Sequence, residues 1–284
     1  MAAVSGEDAM RFARTTLVAV AAVFLFAGAA FAQPIEVLWL GHATFRITSV
    51  TGKVIVIDPF VTTNPRSPAK YKDLAALGKV DLILVTHGHR DHIYDVSELA
   101  KLTGAQVIAS YELSKNLVVA GLLDAAKTPV GMNKGGTMSP LGPGIKIHMV
   151  PASHSSSVDM VEMNRPEWKG ARLLDGGAAV GYVVELENGF KIYHTGDTDV
   201  FGDMALIGRR LKPDLALVCI GGYFTMDPEG AAFAMREYIK PKQVIPMHFG
   251  TFPMINRTPA ELKAALGNSP IKVIEAKPGE PLRF

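Results

Sequence analysis

The stretch Thr86-His87-Gly88-His89-Arg90-Asp91-His92 sets three histidines and a carboxylate within six consecutive positions. It directly follows the run Val80-Asp81-Leu82-Ile83-Leu84-Val85. That run lacks period-2 alternation, as does a strand covered on both faces. The cluster then sits where a buried strand ends and a loop opens, which is where open α/β sheets gather their chemistry. Imidazoles and a carboxylate presented from one turn suit zinc, and also manganese or iron. The alternative is a polar surface turn that happens to be rich in histidine.

Later stretches repeat the arrangement. His154 follows a strand read at Ile145 to Val150, Asp197 follows one at Phe190 to His194, and His248 follows Val244 to Met247. Taken singly, each is as readily an ordinary loop residue. Further strands are read at Ile35 to Leu40, Thr44 to Thr48, Val54 to Ile57 and Ala178 to Leu186, with Ile271 to Glu275 closing the chain. Helices are read at Ser97 to Leu102, Tyr111 to Leu122 and Met204 to Leu211. Asp227-Pro228 opens another reaching about Ile239, and Thr258-Pro259-Ala260-Glu261 forms a capping box for the last. Elements thus run β-rich and then alternate, twice over, with no visible sequence repeat.

The spacing His-x-His-x-Asp-His resembles the signature of the metallo-β-lactamase-fold hydrolases, and the later candidates occur in the order that fold uses. The resemblance covers the chain from about Ile35 onward. It implies an α/β fold, a four-layer αββα sandwich of two facing mixed sheets with helices outside. It also implies two divalent metal ions, zinc first, with manganese or iron open. His87, His89 and His154 would hold one ion, Asp91, His92 and His248 the other, and Asp197 would bridge them. Asp91 would be the catalytic residue, orienting the attacking water and taking its proton. Gly41-His42, Asp58-Pro59-Phe60, Gly196-Asp197-Thr198, Phe224-Thr225-Met226 and His248 to Pro253 look like one branch, metal-dependent hydrolases related to the L-ascorbate-6-phosphate lactonases. Relatives in that branch carry an acidic residue where Gly222 stands.

Four other residues are candidates around such a centre. His42 lies in a turn after a strand. Asp58 either fixes a ligand imidazole or caps its strand. His194 supports the site or packs, and Tyr223 could donate to a developing oxyanion. His148, inside a strand, reads as a sheet-face residue. Residues 155–177 show no clear periodicity, and they are read as a wall or lid over the metals, with Trp168 or the methionines facing substrate. Phe224 and Phe249 would complete that rim.

The implied activity is metal-dependent hydrolysis of a small ester or lactone, phosphoester or amide. The alternatives are a β-lactamase and a non-hydrolytic metal-binding or redox protein on the same scaffold. No Gly-x-Ser-x-Gly elbow, phosphate loop or dinucleotide fingerprint is present. A net charge of +2 argues against a polyanion-binding surface, so the partner is a small molecule rather than nucleic acid. The sole cysteine, Cys219, sits in an apolar run and excludes an internal disulfide. Arg11 and Arg14, the apolar run Leu17 to Phe26 and the small-x-small Ala30-Phe31-Ala32 read as a signal peptide over 1–32. That leaves a hydrolase domain over 33–284, exported to the periplasm or secreted, without membrane insertion once the leader is cleaved. An uncleaved membrane anchor is the alternative.

Overall fold

The computed structural model describes residues 33–125, 129–165 and 167–284; the leader read at 1–32 lies outside the described residues. Pro34–Phe284 forms one compact unit. It opens as a meander of β1 (Glu36–Trp39), β2 (Phe45–Thr48) and β3 (Val54–Ile57). The runs β4 (Leu82–Leu84), β5 (Gln106–Ser110) and β6 (Pro129–Met132) then add in parallel, each after a crossover. The crossovers carry α1 (Arg90–Ile93), α2 (Val96–Thr103) and α3 (Tyr111–Val119).

The second half supplies β7 (Thr137–Met138), β8 (Lys146–Pro151), the pair β9 (Ser157–Asp159) and β10 (Leu173–Asp175), then β11 (Val180–Glu185) and β12 (Lys191–His194). After these come α4 (Met204–Leu211), β13 (Leu215–Cys219), α5 (Pro228–Phe233), β14 (Gln243–Met247), α6 (Pro259–Leu266), β15 (Lys272–Val273) and β16 (Pro281–Arg283). A π-helical turn, Ala234–Ile239, continues α5. The two large sheets run β16-β1-β2-β3-β4-β5-β6 and β15-β14-β13-β12-β11-β8-β7.

Side-chain alternation shows why the layers stack. Val37 and Trp39, Ile55 and Ile57, and Leu82 and Leu84 join one core with Met149, Tyr182, Tyr193 and Leu217 of the other sheet. Their neighbours Leu38, Val54, Val56 and Ile83 face a second core with Ile93, Val96, Leu99, Leu113 and Leu117 of the helices. The first sheet is therefore buried on both faces, as the unbroken apolar run before the histidine cluster requires. The result is the αββα sandwich expected. Tyr182 ties the sheets together beside that cluster, its hydroxyl donating to the Val85 carbonyl at 2.9 Å.

Two expectations are corrected. Ile271 to Glu275 does not close the chain: only Lys272–Val273 pairs, and the terminal β16 crosses back to lie antiparallel to β1. The segment read at 155–177 as a wall or lid stands as a wall against the His87 to His89 turn, Ser156 Oγ accepting the Gly88 N–H at 3.1 Å, and its methionines do not face substrate. It forms the β9–β10 hairpin, whose Met160 and Met163 are buried in the second core, with Trp168 packed against it. The Trp168 indole N–H is spent locally, on the Ala171 carbonyl at 2.9 Å. No helix among the described residues is long and apolar enough to cross a membrane.

Candidate metal centre

Every one of the seven candidate ligands stands at or just past the C-terminal end of a strand. His87 to His92 follow β4 and enter α1, His154 follows β8, Asp197 follows β12 and His248 follows β14. The fold brings them together. His87, His89 and His154 converge on one point, with ligand atoms within 4.8 Å of one another, as do His87, His92 and Asp197. Asp91, His92 and His248 converge on a neighbouring point together with His42. Asp197 lies between the two. Its Oδ2 stands 2.9 Å from His248 Nε2, 3.3 Å from His92 Nε2, 3.8 Å from His154 Nε2 and 4.0 Å from His87 Nε2.

The rear faces of the imidazoles are already committed. Thr86 Oγ1 donates to Asp58 Oδ2 at 2.6 Å, so at 3.0 Å it accepts from His87 Nδ1–H. Asp58 Oδ2 also takes His92 Nδ1–H at 2.7 Å, and its Oδ1 accepts the Thr86 backbone N–H. These partners hold the Nδ1–H of both histidines and aim both Nε2 atoms at the centre, where His87 is neutral and His92 would give up its Nε2 proton to a bound metal. His42 is buried; its Nδ1 faces Thr251 Oγ1 at 2.9 Å and its Nε2 meets Asp91 Oδ2 at 2.7 Å. His194 is buried too, donating from Nε2 to the Ala43 carbonyl and accepting the Gly196 N–H on Nδ1. It therefore anchors the turn that delivers Asp197.

His42, Asp58 and His248 all adopt left-handed backbone, with φ of 54°, 48° and 57°. Non-glycine residues pay for that conformation, so three such turns around one centre mark a place the rest of the fold over-determines. Nothing in the sequence signals it.

Charge distribution follows from packing. Burial alone would raise the Asp91 and Asp197 carboxyls, but the surrounding His92 and His248 hold both well below the usual carboxylate range. Burial likewise opposes protonation of His248, yet Asp197 draws it up to about 9, and His92 is raised well above its ordinary value by Asp197 and Asp58. His87, His89 and His154 are lowered, by burial first and then by the His92 charge. Burial and His248 push His42 down to about 4. Asp197 Oδ1 is buried without a hydrogen-bond partner, and His92 Nε2 and His248 Nε2, though 3.3 and 2.9 Å from Asp197 Oδ2, are not aligned to hydrogen-bond it. Such orphaned atoms are costly unless something binds them, and this donor set of imidazoles and carboxylates fits divalent cations.

Of the other candidates, Tyr223 is 70 % exposed and stacks edge-on against Phe224, and its hydroxyl makes no hydrogen bond among the described residues. Phe249 does not line the rim; it stacks on Trp39 at 5.4 Å and packs against the main core. His148 sits between Thr137 and Glu185 on the sheet, away from the cluster. Cys219 is buried, its thiol pushed up to about 12 by burial and by Asp197, and is inert. Thr86 and Thr251, which hold His87 and His42, escaped the sequence reading. An ordinary threonine carries no signal when its partner lies as far away as the 209 positions between His42 and Thr251.

Residues 53–249 match the family model of the beta-lactamase superfamily domain. A UPF0173 metal-dependent hydrolase of Polaromonas is 49 % identical over 259 residues, spanning 90 % of this chain and 93 % of its own length. One from Thermodesulfovibrio yellowstonii is 42 % identical, over 88 % of this chain and 92 % of its own. Among solved structures, Igni18, a metallo hydrolase of the archaeon Ignicoccus hospitalis, superposes with a TM-score of 0.75 at 34 % identity, covering 89 % of this chain and 99 % of that one. An isothiocyanate hydrolase from Delia radicum gut bacteria shares the fold, with a TM-score of 0.64 at 18 % identity over 88 % of this chain and 98 % of that one.

Proposed function

The chain belongs to the beta-lactamase superfamily of metal-dependent hydrolases, and on that premise we propose that it cleaves a small ester or lactone, phosphoester or amide at a centre of two divalent ions, zinc foremost. His87, His89 and His154 would hold one ion, Asp91, His92 and His248 would hold the other, and Asp197, near both sets, would be available to each. The observation that carries this reading is the convergence of His87, His89 and His154, and of Asp91, His92 and His248, each set with ligand atoms within 4.8 Å of one another, while the rear nitrogens of His87 and His92 are tied to Thr86 and Asp58. Bound ions of this kind lower the pKa of a coordinated water from about 15.7 to near 7 and polarise the substrate's oxygen.

The residues divide the remaining work. Asp91 keeps 24 % side-chain exposure where Asp197 keeps 3 %, so Asp91 faces the mouth. With Oδ2 gripped by His42 Nε2–H, Asp91 is left to orient the attacking water and take its proton on Oδ1. His42 suits that task because it stays neutral at working pH, accepting from Thr251 on Nδ1 and donating from Nε2. Asp58 and His194 fix ligand-bearing turns and do not touch substrate.

A panel of lactones, phosphodiesters, amides and β-lactams, assayed with zinc or manganese, tests the reading. One class should turn over, lose its rate on chelation and regain it with metal. Turnover that persists in Asp197→Ala after chelation would contradict it. The leader supports an exported protein, whose mature N-terminus should lie at or near Gln33; intact leader in a membrane fraction would favour the anchored form.

A further inference from the structure

Beside the loops that carry His42 and His248 stands a cation with no partner among the described residues. Arg66 is exposed, and its guanidinium makes no hydrogen bond or ion pair among the described residues. Neighbouring arginines are spent. Arg90 donates to the Glu162 carbonyl and Thr63 Oγ1 and lies over the Tyr94 ring, while Arg257 pairs with Glu261.

The turn that presents Arg66 is built rather than loose. Asn64 is fully buried; its Oδ1 accepts the Arg66 backbone N–H at 2.9 Å and its Nδ2 donates to the Phe60 carbonyl at 3.1 Å. Ser67 Oγ donates to the Leu40 carbonyl at 2.6 Å. Gly41 lets this turn lie tightly against the His42 loop, and the His248 loop comes within ordinary contact of the Arg66 guanidinium. A β-carbon on Gly41, next to His42, would stand 3.3 Å from the Arg66 carbonyl carbon. A β-carbon on Gly250, two residues beyond His248, would stand 3.7 Å from Arg66 Nη2. From the other side, Gly221 packs so closely on the His248 carbonyl that a β-carbon there would collide with it. That loop leads straight into the exposed ring pair Tyr223 and Phe224, with centroids 4.7 Å apart.

We propose that Arg66 is a specificity-determining residue that receives an anionic oxyacid group, a carboxylate or a phosphate, carried by the substrate beside its scissile bond. A guanidinium presents parallel N–H donors that match either group in a bidentate pair, and its weak hydration favours such pairing over bulk water. Tyr223 and Phe224 offer apolar surface to the rest of the molecule. The inference rests on the hydrolytic reading above, and it narrows the substrates to small anionic esters, lactones or amides.

The test uses matched pairs, a neutral ester or lactone and its carboxylate- or phosphate-bearing counterpart, with the parent, Arg66→Met, Arg66→Lys and, as a control, Arg257→Met. The parent and the control should prefer the anionic member by on the order of ten-fold in kcat/KM. Arg66→Met should abolish that preference through KM, and Arg66→Lys should keep part of it. Equilibrium titrations of the metal-loaded protein with succinate and with inorganic phosphate accompany the assay. Arg66→Met should weaken one of them about ten-fold, and the probe affected identifies the group. Should no pair be hydrolysed, the hydrolytic reading fails while the titrations still decide on Arg66. An unchanged anionic preference, or with no turnover unchanged affinity for both probes, overturns the proposal.

Discussion

Asp58 is the residue on which most of the site's orientation depends. It accepts from Thr86 twice and from His92 once, while sitting buried in left-handed backbone. Asparagine tolerates that backbone, so Asp58→Asn removes the anion and leaves the turn. Metal affinity should fall about 10- to 100-fold, read by competition with a chromophoric chelator. An affinity within two-fold of the parent would mean that Asp58 only caps its strand. His42→Asn likewise keeps the left-handed turn but cannot bridge Asp91 and Thr251. It should lower kcat roughly 10- to 100-fold with metal content unchanged, and unaltered kcat would remove His42 from the account. The ligand types were legible in sequence because imidazole and carboxylate are conspicuous just past apolar strands. Their supports were only partly legible: Asp58 stands out before a proline, whereas Thr86, Thr251 and Arg66 are ordinary polar residues until folding gives them neighbours.

Strand ends, more than strands, position the chemistry. Asp197 is delivered by the turn Thr195-Gly196-Asp197, where Gly196 has φ of 61° and a β-carbon would stand 2.6 Å from the Val180 carbonyl. Gly196→Ala therefore meets both left-handed strain and a backbone clash, and should cost about 2 kcal/mol or more, read as a lower denaturant midpoint. A midpoint equal to the parent's would show that the turn is free to relax. Strands buried on both faces, such as β3 and β4, could be read as unbroken apolar runs, and the capping box at Thr258 and Glu261 forms as its spacing requires. The β9–β10 hairpin and β16 could not, because three-residue strands leave no period to detect and their pairing is set by tertiary contacts. The same limit misplaced Trp168 and Phe249: an aromatic side chain announces burial, not which surface it will cover.

For the whole molecule, the buried histidines make metal and proton competitors. Without metal, His248 has its pKa raised from 6.5 to about 9, so its stabilisation is fully present below 6.5 and is lost as pH climbs through 9. His42, lowered to about 4, acts oppositely; it favours the unfolded chain as pH drops from 6.5 toward 4. Chelated protein should therefore be most stable near pH 6.5 in denaturant titrations, whereas metal-loaded protein should hold its stability up to pH 9. Identical profiles with and without metal would mean that the histidines do not bind it. The central claim, two cation pockets sharing Asp197, is tested most directly by elemental analysis of the purified protein. The parent should saturate at about two divalent ions per chain, and Asp197→Ala should retain one or none; a parent that saturates at one ion, or a variant that keeps two, would contradict it.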